Sequence, residues 1–220
     1  MSDKLFPLGP ACPAGESAID ILETKTLLKS FVRVTEYTLR TRTFTGEQTP
    51  VYQREVMSIG PTGEAVVVLP YDPVRDSVIL IEQLRLPAHI SQRTNGWTLE
   101  PAAGLIETGD TPEESARREC REECSRELGR MVKVGHYMPS PGAFSEVIHL
   151  FIGEVEAGET GTLAGLSAEH EFIRAHVIGF AEAMTLVDSN QIDNGNALIA
   201  LNWLARHRER LRTEWLQKAA

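Results

Sequence analysis

Three glutamates close together in the chain are the residues best suited to chemistry. Glu119, Glu122 and Glu123 are related as i, i+3 and i+4. On a helix this spacing places the three carboxylates on one face, where like charges repel by about 0.2–0.5 kcal/mol per pair. A hard divalent cation would remove that repulsion, and oxygen ligands without His or Cys favour Mg²⁺ or Mn²⁺. The spacing therefore predicts a metal-binding helix face.

The same spacing also fits a solvated helix without a metal. Glu-rich amphipathic helices are common, and Arg118 stands four residues before Glu122, where a surface ion pair can form. Spacing alone favours this second interpretation. The preceding residues favour the first, because Gly104 and Gly109 bracket a short loop in which the backbone can approach the helix. A backbone carbonyl in that loop would add another hard ligand.

The start of this helix is marked by local signals. Thr111 is placed as the N-cap, Pro112 as the first helical residue, and Glu114 stands three residues after the cap, which is the pattern of a capping box. The pattern predicts a helix from Pro112 to about Glu127.

The other segments predict strands and one long helix. Strands are indicated by alternating or β-branched residues. They are two strands within 18–42, then Val51–Ser58, Glu64–Leu69, Ser77–Leu84, Val132–Met138, Val147–Val155 and Ile173–Ile178. Glu64–Leu69 and Ser77–Leu84 should form a buried hairpin around Pro70–Pro73, Gly158–Leu166 should be a loop, and Asn194–Trp215 a helix. Strands and helices mixed in this way predict an α/β sandwich with a mixed sheet.

The composition limits the class of protein. A net charge of −9 disfavours a nucleic-acid partner, which is bound chiefly through Lys and Arg. The longest apolar runs are too short to span a membrane, and the N-terminus shows no signal-peptide pattern, so we expect a cytoplasmic protein without a membrane partner. Cys12, Cys120 and Cys124 are an odd set without zinc-site spacing, which favours packing roles.

The stretch from Gly104 onward resembles the Nudix box. That box is a glycine, five residues, an acid, seven residues, and then Arg-Glu-apolar-x-Glu-Glu-x-Gly-apolar. The residues kept in this chain are Gly104, Arg118, Glu119, Glu122 and Glu123.

The chain departs from the box at three positions. Asp110 replaces the first acid and shortens its reach, from which we expect a modest weakening. Ser125 and Arg126 stand where the box has glycine and an apolar residue. The next glycine, Gly129, comes four residues late, or about one helical turn. We therefore expect an extra turn of helix and an unchanged metal face.

The resemblance extends over about residues 18–215. Residues 82–85, 100–104, 140–146, 169–171 and 192–194 look like the blocks of bacterial ADP-ribose pyrophosphatases. This resemblance implies a Nudix-type α/β/α sandwich with a mixed sheet, preceded by an N-terminal antiparallel β subdomain. The implied parts are a flexible segment 1–17, a β subdomain 18–58, a hydrolase domain 59–215 and a tail 216–220. It further implies a homodimer with exchanged N-terminal strands.

The same resemblance implies a metal site and a base. Ala103 would offer its carbonyl, and Glu119 and Glu123 their carboxylates, with Glu122 beside them. Glu169 and Glu171 belong to a long polar loop of the kind that can close over a site. Of this pair, Glu169 is favoured as the base and Glu171 as an outer metal ligand, whereas without the resemblance both are ordinary solvated acids.

The implied substrate contacts have simpler alternatives. Arg85 would bind phosphate, although it could be a surface arginine. Arg54, Tyr37 and Glu146 would contact nucleotide or ribose, partly across the dimer. Ser140, which lies in an adjoining turn, would also bind substrate. Arg54, next to Glu55, could equally belong to a cross-strand ion pair, and Tyr37 could simply pack within its sheet.

The activity implied is Mg²⁺-dependent hydrolysis of ADP-ribose to AMP and ribose 5-phosphate, in which Mn²⁺ may replace Mg²⁺. One alternative is hydrolysis of another nucleotide sugar such as GDP-mannose, because nothing in the sequence specifies the base. Another is a non-catalytic Nudix module that binds a nucleotide and regulates a partner. The presence of all three helix glutamates disfavours that module. A purely structural domain would require the box to occur by chance.

Overall fold

The computed structural model describes Gly9 and residues 16–91, 95–166 and 170–217. Most of the segment 1–17 and of the tail 216–220 lies outside these residues. The chain divides into two compact units. One contains Met1–Ile59 and Ser140–Glu146, and the other contains Gly60–Pro139 and Val147–Ala220.

The first unit is an antiparallel sheet of β1 (Ile19–Lys29), β2 (Val32–Thr41) and β3 (Tyr52–Ile59), in the order β1-β2-β3. This confirms the predicted N-terminal antiparallel segment. Residues 140–146 extend the unit along β3. The Met57 N–H donates to the Ala143 carbonyl at 2.8 Å, and the Ser145 N–H donates to the Met57 carbonyl at 3.0 Å.

The second unit contains a mixed sheet and all the described helices. Its described strands are β4 (Glu64–Asp72), β5 (Ser77–Leu84), β6 (Trp97–Glu100), β7 (Ala102–Leu105), β8 (Met131–Tyr137), β9 (Val147–Glu154), β10 (Thr162–Ala164) and β11 (Ile173–Gly179). Their order is β10-β11-β5-β4-β9-β8, with β6 on β5 and β7 on β4. The pairing of β4 with β9 is parallel and the others are antiparallel. The helices are α1 (Leu86–Ile90), α2 (Pro112–Cys124), α3 (Phe180–Asp188) and α4 (Gly195–Leu216).

The helices cover both faces of the sheet. Successive side chains of a strand point to opposite faces, and nearly all side chains of β4 are buried. Val66 and Val68 pack in one core cluster with Cys120 of α2. Val67 and Leu69 pack in the other, with α4. The predicted α/β sandwich with a mixed sheet is confirmed. None of the helices in the described part of the chain is long and apolar enough to cross a membrane.

Some elements differ from the sequence prediction. Strand β4 continues through Pro70 to Asp72, so the hairpin turns later than expected. The turn forms there because the Asp72 carboxylate accepts the N–H groups of Val74 and Arg75 at 2.9 and 3.0 Å. The elements α1, β6, β7, β10 and α3 were not predicted. The strands among them, β6, β7 and β10, have only three or four residues each, too few to show the alternation of apolar and polar residues that indicates a strand.

The predicted extra turn of α2 is wrong. The helix ends at Cys124, and Ser125 adopts the left-handed conformation with φ 53°. The Arg126 N–H donates to the Cys120 carbonyl at 3.4 Å, and the Nε of the Arg126 side chain donates to the Ala157 carbonyl at 2.8 Å. These contacts direct the chain away from the helix axis. The helix therefore ends where the box has glycine, although the residue is serine.

Ser125 gives a stability prediction. A side chain in the left-handed region costs about 1–2 kcal/mol, which glycine avoids. We expect Ser125→Gly to raise the free energy of unfolding by about 1 kcal/mol, part of the gain being offset by the flexibility of glycine in the unfolded chain. Urea unfolding measures the change. Ser125→Ala is the matched control because alanine retains the strain, so an equal gain in both variants would contradict this account.

Candidate active site

Helix α2 carries the site, and local contacts fix its start. The Thr111 hydroxyl accepts the Glu114 N–H at 3.2 Å, and the Glu114 carboxylate accepts the Thr111 N–H at 2.9 Å. This is the predicted capping box, with Pro112 in the first turn. Ala116 and Cys120 are fully buried against the sheet. The acids next to this apolar face are thereby held at the edge of the core.

Glu119 lies directly against the backbone of β7. A Cβ atom at Gly104 would stand 1.9 Å from Glu119 Oε1, so no side chain fits at that position. The Glu119 residue is only 7% exposed. Arg118 Nη1 lies 2.8 Å from Glu119 Oε1. Gly104 is therefore required because a carboxylate of α2 occupies the space of its side chain.

Glu123 is held one residue earlier on β7, at Ala103. Its Oε2 accepts the Ala103 N–H at 2.8 Å, and the residue is 2% exposed. In an extended strand the N–H and the C=O of one residue point to the same side. The Ala103 carbonyl accordingly faces the side on which the Glu123 carboxylate lies.

Both carboxylates lack sufficient counter-charge. Burial raises the pKa of Glu119 to about 7, an effect opposed by Arg118 and reinforced by Glu122 and Glu171. Burial also raises the pKa of Glu123 well above its ordinary value, which the Ala103 N–H only partly opposes. A divalent cation would supply the missing positive charge. Two buried carboxylates and a backbone carbonyl are therefore a donor set that fits a hard cation.

The third glutamate of the helix is arranged differently. Glu122 Oε2 lies 3.0 Å from Arg118 Nη1, which is the ion pair considered as the alternative to a metal. Arg118 Nη2 also donates to the Leu105 carbonyl at 3.1 Å, so the arginine joins α2 to β7. Within the described ranges, no three Asp, Glu, His or Cys side chains converge as a preformed metal site.

The loop before β11 is attached to α2. The Gly165 N–H donates to the Glu122 carbonyl at 3.0 Å, and the Glu171 N–H donates to the Leu166 carbonyl at 3.2 Å. A Cβ atom at Gly165 would lie 2.9 Å from the Glu171 carbonyl oxygen. The negative charge of Glu171 contributes to the raised pKa of Glu119 and Glu123, so it lies near both. Glu169, the predicted base, lies outside the described residues.

Arg85 follows β5 and is held by a residue whose role the sequence did not reveal. Its Nε lies 3.2 and 3.1 Å from the two carboxylate oxygens of Glu100, and its Nη2 lies 2.7 Å from Oε2. The Thr98 hydroxyl donates to the same carboxylate at 2.6 Å. Burial opposes the charge of Arg85, but Glu100 raises its pKa, with smaller contributions from Glu123 and Glu171. The only signal in the sequence for the role of Glu100 was that this charged residue ends a short, mostly apolar segment.

The remaining predicted residues belong to the first unit. Tyr37 and Arg54 are cross-strand partners on β2 and β3. The Arg54 guanidinium lies 4.7 Å from the centre of the Tyr52 ring. The Ser140 carbonyl accepts the N–H groups of two residues in its turn, and burial raises the pKa of Glu146. Their contacts with a ligand stay predictions.

A comparison with known protein families identifies the family to which this chain belongs. Residues 61–200, more than half of the chain, match the NUDIX domain. The chain belongs to the NUDIX domain family. The NUDIX match includes Arg85, Ala103 and every glutamate of α2.

Relatives of this NUDIX protein match from 70% to 91% of its length. The ADP-ribose pyrophosphatase of Escherichia coli (strain K12) is 39% identical over 201 residues, which are 91% of this chain and 94% of that enzyme. The GDP-mannose pyrophosphatase of Salmonella typhimurium is 31% identical over 153 residues, or 70% and 78%. The solved structure of an ADP compounds hydrolase has a TM-score of 0.64 at 21% identity and covers 90% of this chain and 96% of that one. This last likeness shows the fold alone.

Proposed function

We propose that this NUDIX enzyme hydrolyses the diphosphate bond of ADP-ribose and releases AMP and ribose 5-phosphate. The observation that carries the proposal is the pair of buried carboxylates, Glu119 and Glu123, held against Ala103 and Gly104 with too little counter-charge. The 39% identity with an ADP-ribose pyrophosphatase supports this substrate.

We assign the cation to Glu119, Glu123 and the Ala103 carbonyl, with Glu171 as an outer ligand and Mg²⁺ as the ion. When bound, Mg²⁺ neutralises the diphosphate and lowers the pKa of an attacking water. Glu169 removes the proton from that water. Arg85 binds a phosphate oxygen, and Glu100 keeps the Arg85 guanidinium in place. Glu122 keeps Arg118 paired, so that Arg118 continues to join α2 to β7.

The proposal is tested with a panel of nucleotide sugars. We expect turnover of ADP-ribose with AMP as a product in Mg²⁺ or Mn²⁺, no turnover in EDTA, and recovery when metal is restored, because the donor set contains only oxygen atoms. Full turnover in EDTA would exclude the metal mechanism. Faster cleavage of GDP-mannose would favour the alternative suggested by the Salmonella relative.

We also propose a homodimer formed through the first unit. Strand β1 is at the edge of its sheet, and nearly all of its residues are exposed. Large apolar side chains are among them: Ile19, Ile21, Leu22, Leu27 and Leu28. An edge strand of this kind needs pairing or cover, and a second copy of the same strand would provide it.

The oligomeric prediction is a mass of two chains in light scattering at micromolar concentration. Leu22→Lys introduces a charge on β1 and should shift the protein towards monomers, because burying an unpaired ammonium in an interface is costly. Val74→Lys is the matched control, since Val74 is also an exposed apolar residue but lies in the second unit. A monomer with full activity would contradict the prediction.

A further inference from the structure

Two histidines and a glutamate stand on three neighbouring strands of the second unit. His136 on β8 is the register partner of His149 on β9, and Val66 on β4 is the parallel partner of His149. Glu64 comes two residues before Val66, so its side chain points to the same face of the sheet. This is the face on which Val66 packs with Cys120 of α2. We call Glu64, His136 and His149 the histidine cluster.

The ring of His149 is buried without a hydrogen bond. Its side chain is 14% exposed, and neither ring nitrogen has a hydrogen-bond partner within the described ranges. Leaving buried polar groups unpaired is costly, so proteins nearly always satisfy them with protein atoms, water or an ion. The His149 ring therefore needs a partner that the described side chains do not supply.

The distance between His149 and Glu64 fits a shared cation better than a hydrogen bond. Nε2 of His149 lies 3.7 Å from Oε2 of Glu64. An N–H···O hydrogen bond measures about 2.7–3.2 Å, so these two atoms are not directly bonded to each other. Two ligands of a tetrahedral zinc ion, with metal–ligand bonds of about 2.1 Å, lie about 3.4 Å apart. The gap between the two atoms is close to the one that a shared zinc ion requires.

His136 can supply a third ligand. The centre of its ring lies 6.1 Å from that of His149, and the two ring planes are inclined at 46°. The three side chains of the cluster do not yet converge on one point. His136 is exposed, however, so its ring can turn about the side-chain bonds without displacing the core. Two imidazoles and a carboxylate then form a three-ligand zinc site with water in the fourth position.

The histidine cluster is separate from the carboxylates of α2. His149, Val66 and Gly104 are partners in one row across β9, β4 and β7. Neighbouring strands lie about 4.7–4.9 Å apart, which places the backbone of His149 about 10 Å from that of Gly104, where Glu119 lies. The donor atoms differ as well, because imidazole nitrogen suits Zn²⁺ whereas oxygen-only sites suit Mg²⁺. The two places should therefore bind different cations.

We propose that the histidine cluster binds one Zn²⁺ ion through Nε2 of His149, Oε2 of Glu64 and a ring nitrogen of His136. The three ligands come from β9, β4 and β8, so the bound ion resists separation of these strands and stabilises the second unit. The inference goes beyond the proposed function, because it concerns a different cation and different residues.

The test is calorimetric titration of the full chain with Zn²⁺ in excess Mg²⁺, which blocks the oxygen ligands of α2. We expect one Zn²⁺ ion to bind per chain. His136→Ala should weaken this binding by more than about 100-fold, because even residues that only support a metal ligand contribute about 10–100-fold. His136 is exposed, so the substitution should leave the fold intact. His89→Ala is the matched control, since His89 is an exposed histidine of α1 in the same unit, and it should bind Zn²⁺ like the parent.

Urea unfolding gives a second measurement that needs no titration. Zn²⁺ should raise the urea midpoint of the parent and of His89→Ala, because an ion that binds only the folded chain stabilises it. It should leave the midpoint of His136→Ala unchanged. Glu64→Gln keeps the size of a half-exposed side chain but removes the charge, so it should also lose most of the zinc effect.

Several outcomes would overturn the assignment. Equal Zn²⁺ affinity in the parent and in His136→Ala would do so, as would an equal loss in His89→Ala. If excess Mg²⁺ abolishes zinc binding to the parent, the ion had occupied the carboxylates of α2. If His149 and Glu64 form only an ion pair, Zn²⁺ leaves the urea midpoint of the parent unchanged, and Glu64→Gln lowers it without any zinc. None of these results depends on cleavage of ADP-ribose, so the proposed function is tested separately.

Discussion

Glu123→Gln should abolish turnover and metal binding together. The amide keeps the size of the side chain and can still accept the Ala103 N–H, but it removes the charge that a hard cation requires. Changes to residues that merely support a metal ligand cost about 10–100-fold, so loss of a ligand should exceed about 100-fold in kcat. Steady-state kinetics at saturating Mg²⁺ and calorimetric Mg²⁺ titration measure the two effects.

The same variant distinguishes loss of the metal from loss of the fold. Burial raises the pKa of Glu123, so a protonated Glu123 stabilises the metal-free protein at low pH, and that stability is lost as the pH rises through the raised pKa. The amide cannot ionise. We therefore expect metal-free Glu123→Gln to be at least as stable as the parent at mildly alkaline pH.

Glu127→Gln is the control for this experiment. It makes the same chemical change just beyond α2, at a side chain that is 74% exposed and 3.6 Å from Arg121. It should leave both measurements unchanged. Normal Mg²⁺ affinity in Glu123→Gln would show that the cation lies elsewhere, and a large destabilisation would show that the carboxylate serves the fold.

Changes in the loop before β11 should affect the chemical step and spare the metal. Glu169→Gln should lower kcat by about 10²–10⁴-fold, the usual contribution of a general base, while Mg²⁺ affinity stays near that of the parent. Glu171 lies close to Glu119 and Glu123 and can take over part of the role. The variant changed at both positions should therefore be slower than either single variant.

The decisive comparison is turnover of ADP-ribose and Mg²⁺ binding in the two single variants and the double variant. Glu159→Gln is the matched control, because Glu159 is an exposed acid in the preceding loop. If the double variant turns over nearly as fast as the parent, the proton goes to another group, and Glu122 is the next candidate. Its pairing with Arg118 would then have to open during turnover.

Features that depend on neighbouring residues could be predicted from the sequence. The start of α2 is one, because its capping box consists of contacts between residues three apart. The long strands are another, because burial leaves a period in the residue types. The acidic face of α2 was likewise visible, since i, i+3 and i+4 acids share a face wherever the helix lies. The substrate-binding roles of Tyr37, Arg54, Ser140 and Glu146 stay predictions.

Only the tertiary structure decided how these residues are used. Gly104 is needed because Glu119, fifteen residues away, occupies the space of its side chain. Arg85, just after β5, is held by Glu100 of the neighbouring strand β6. Helix α2 ends at Cys124, and Arg126 just beyond it is bound to the loop that follows β9. Contacts between distant segments leave no local pattern in the sequence. The sequence by itself determined which acids share a helix face, and burial against β7 decided which two of them require a counter-charge.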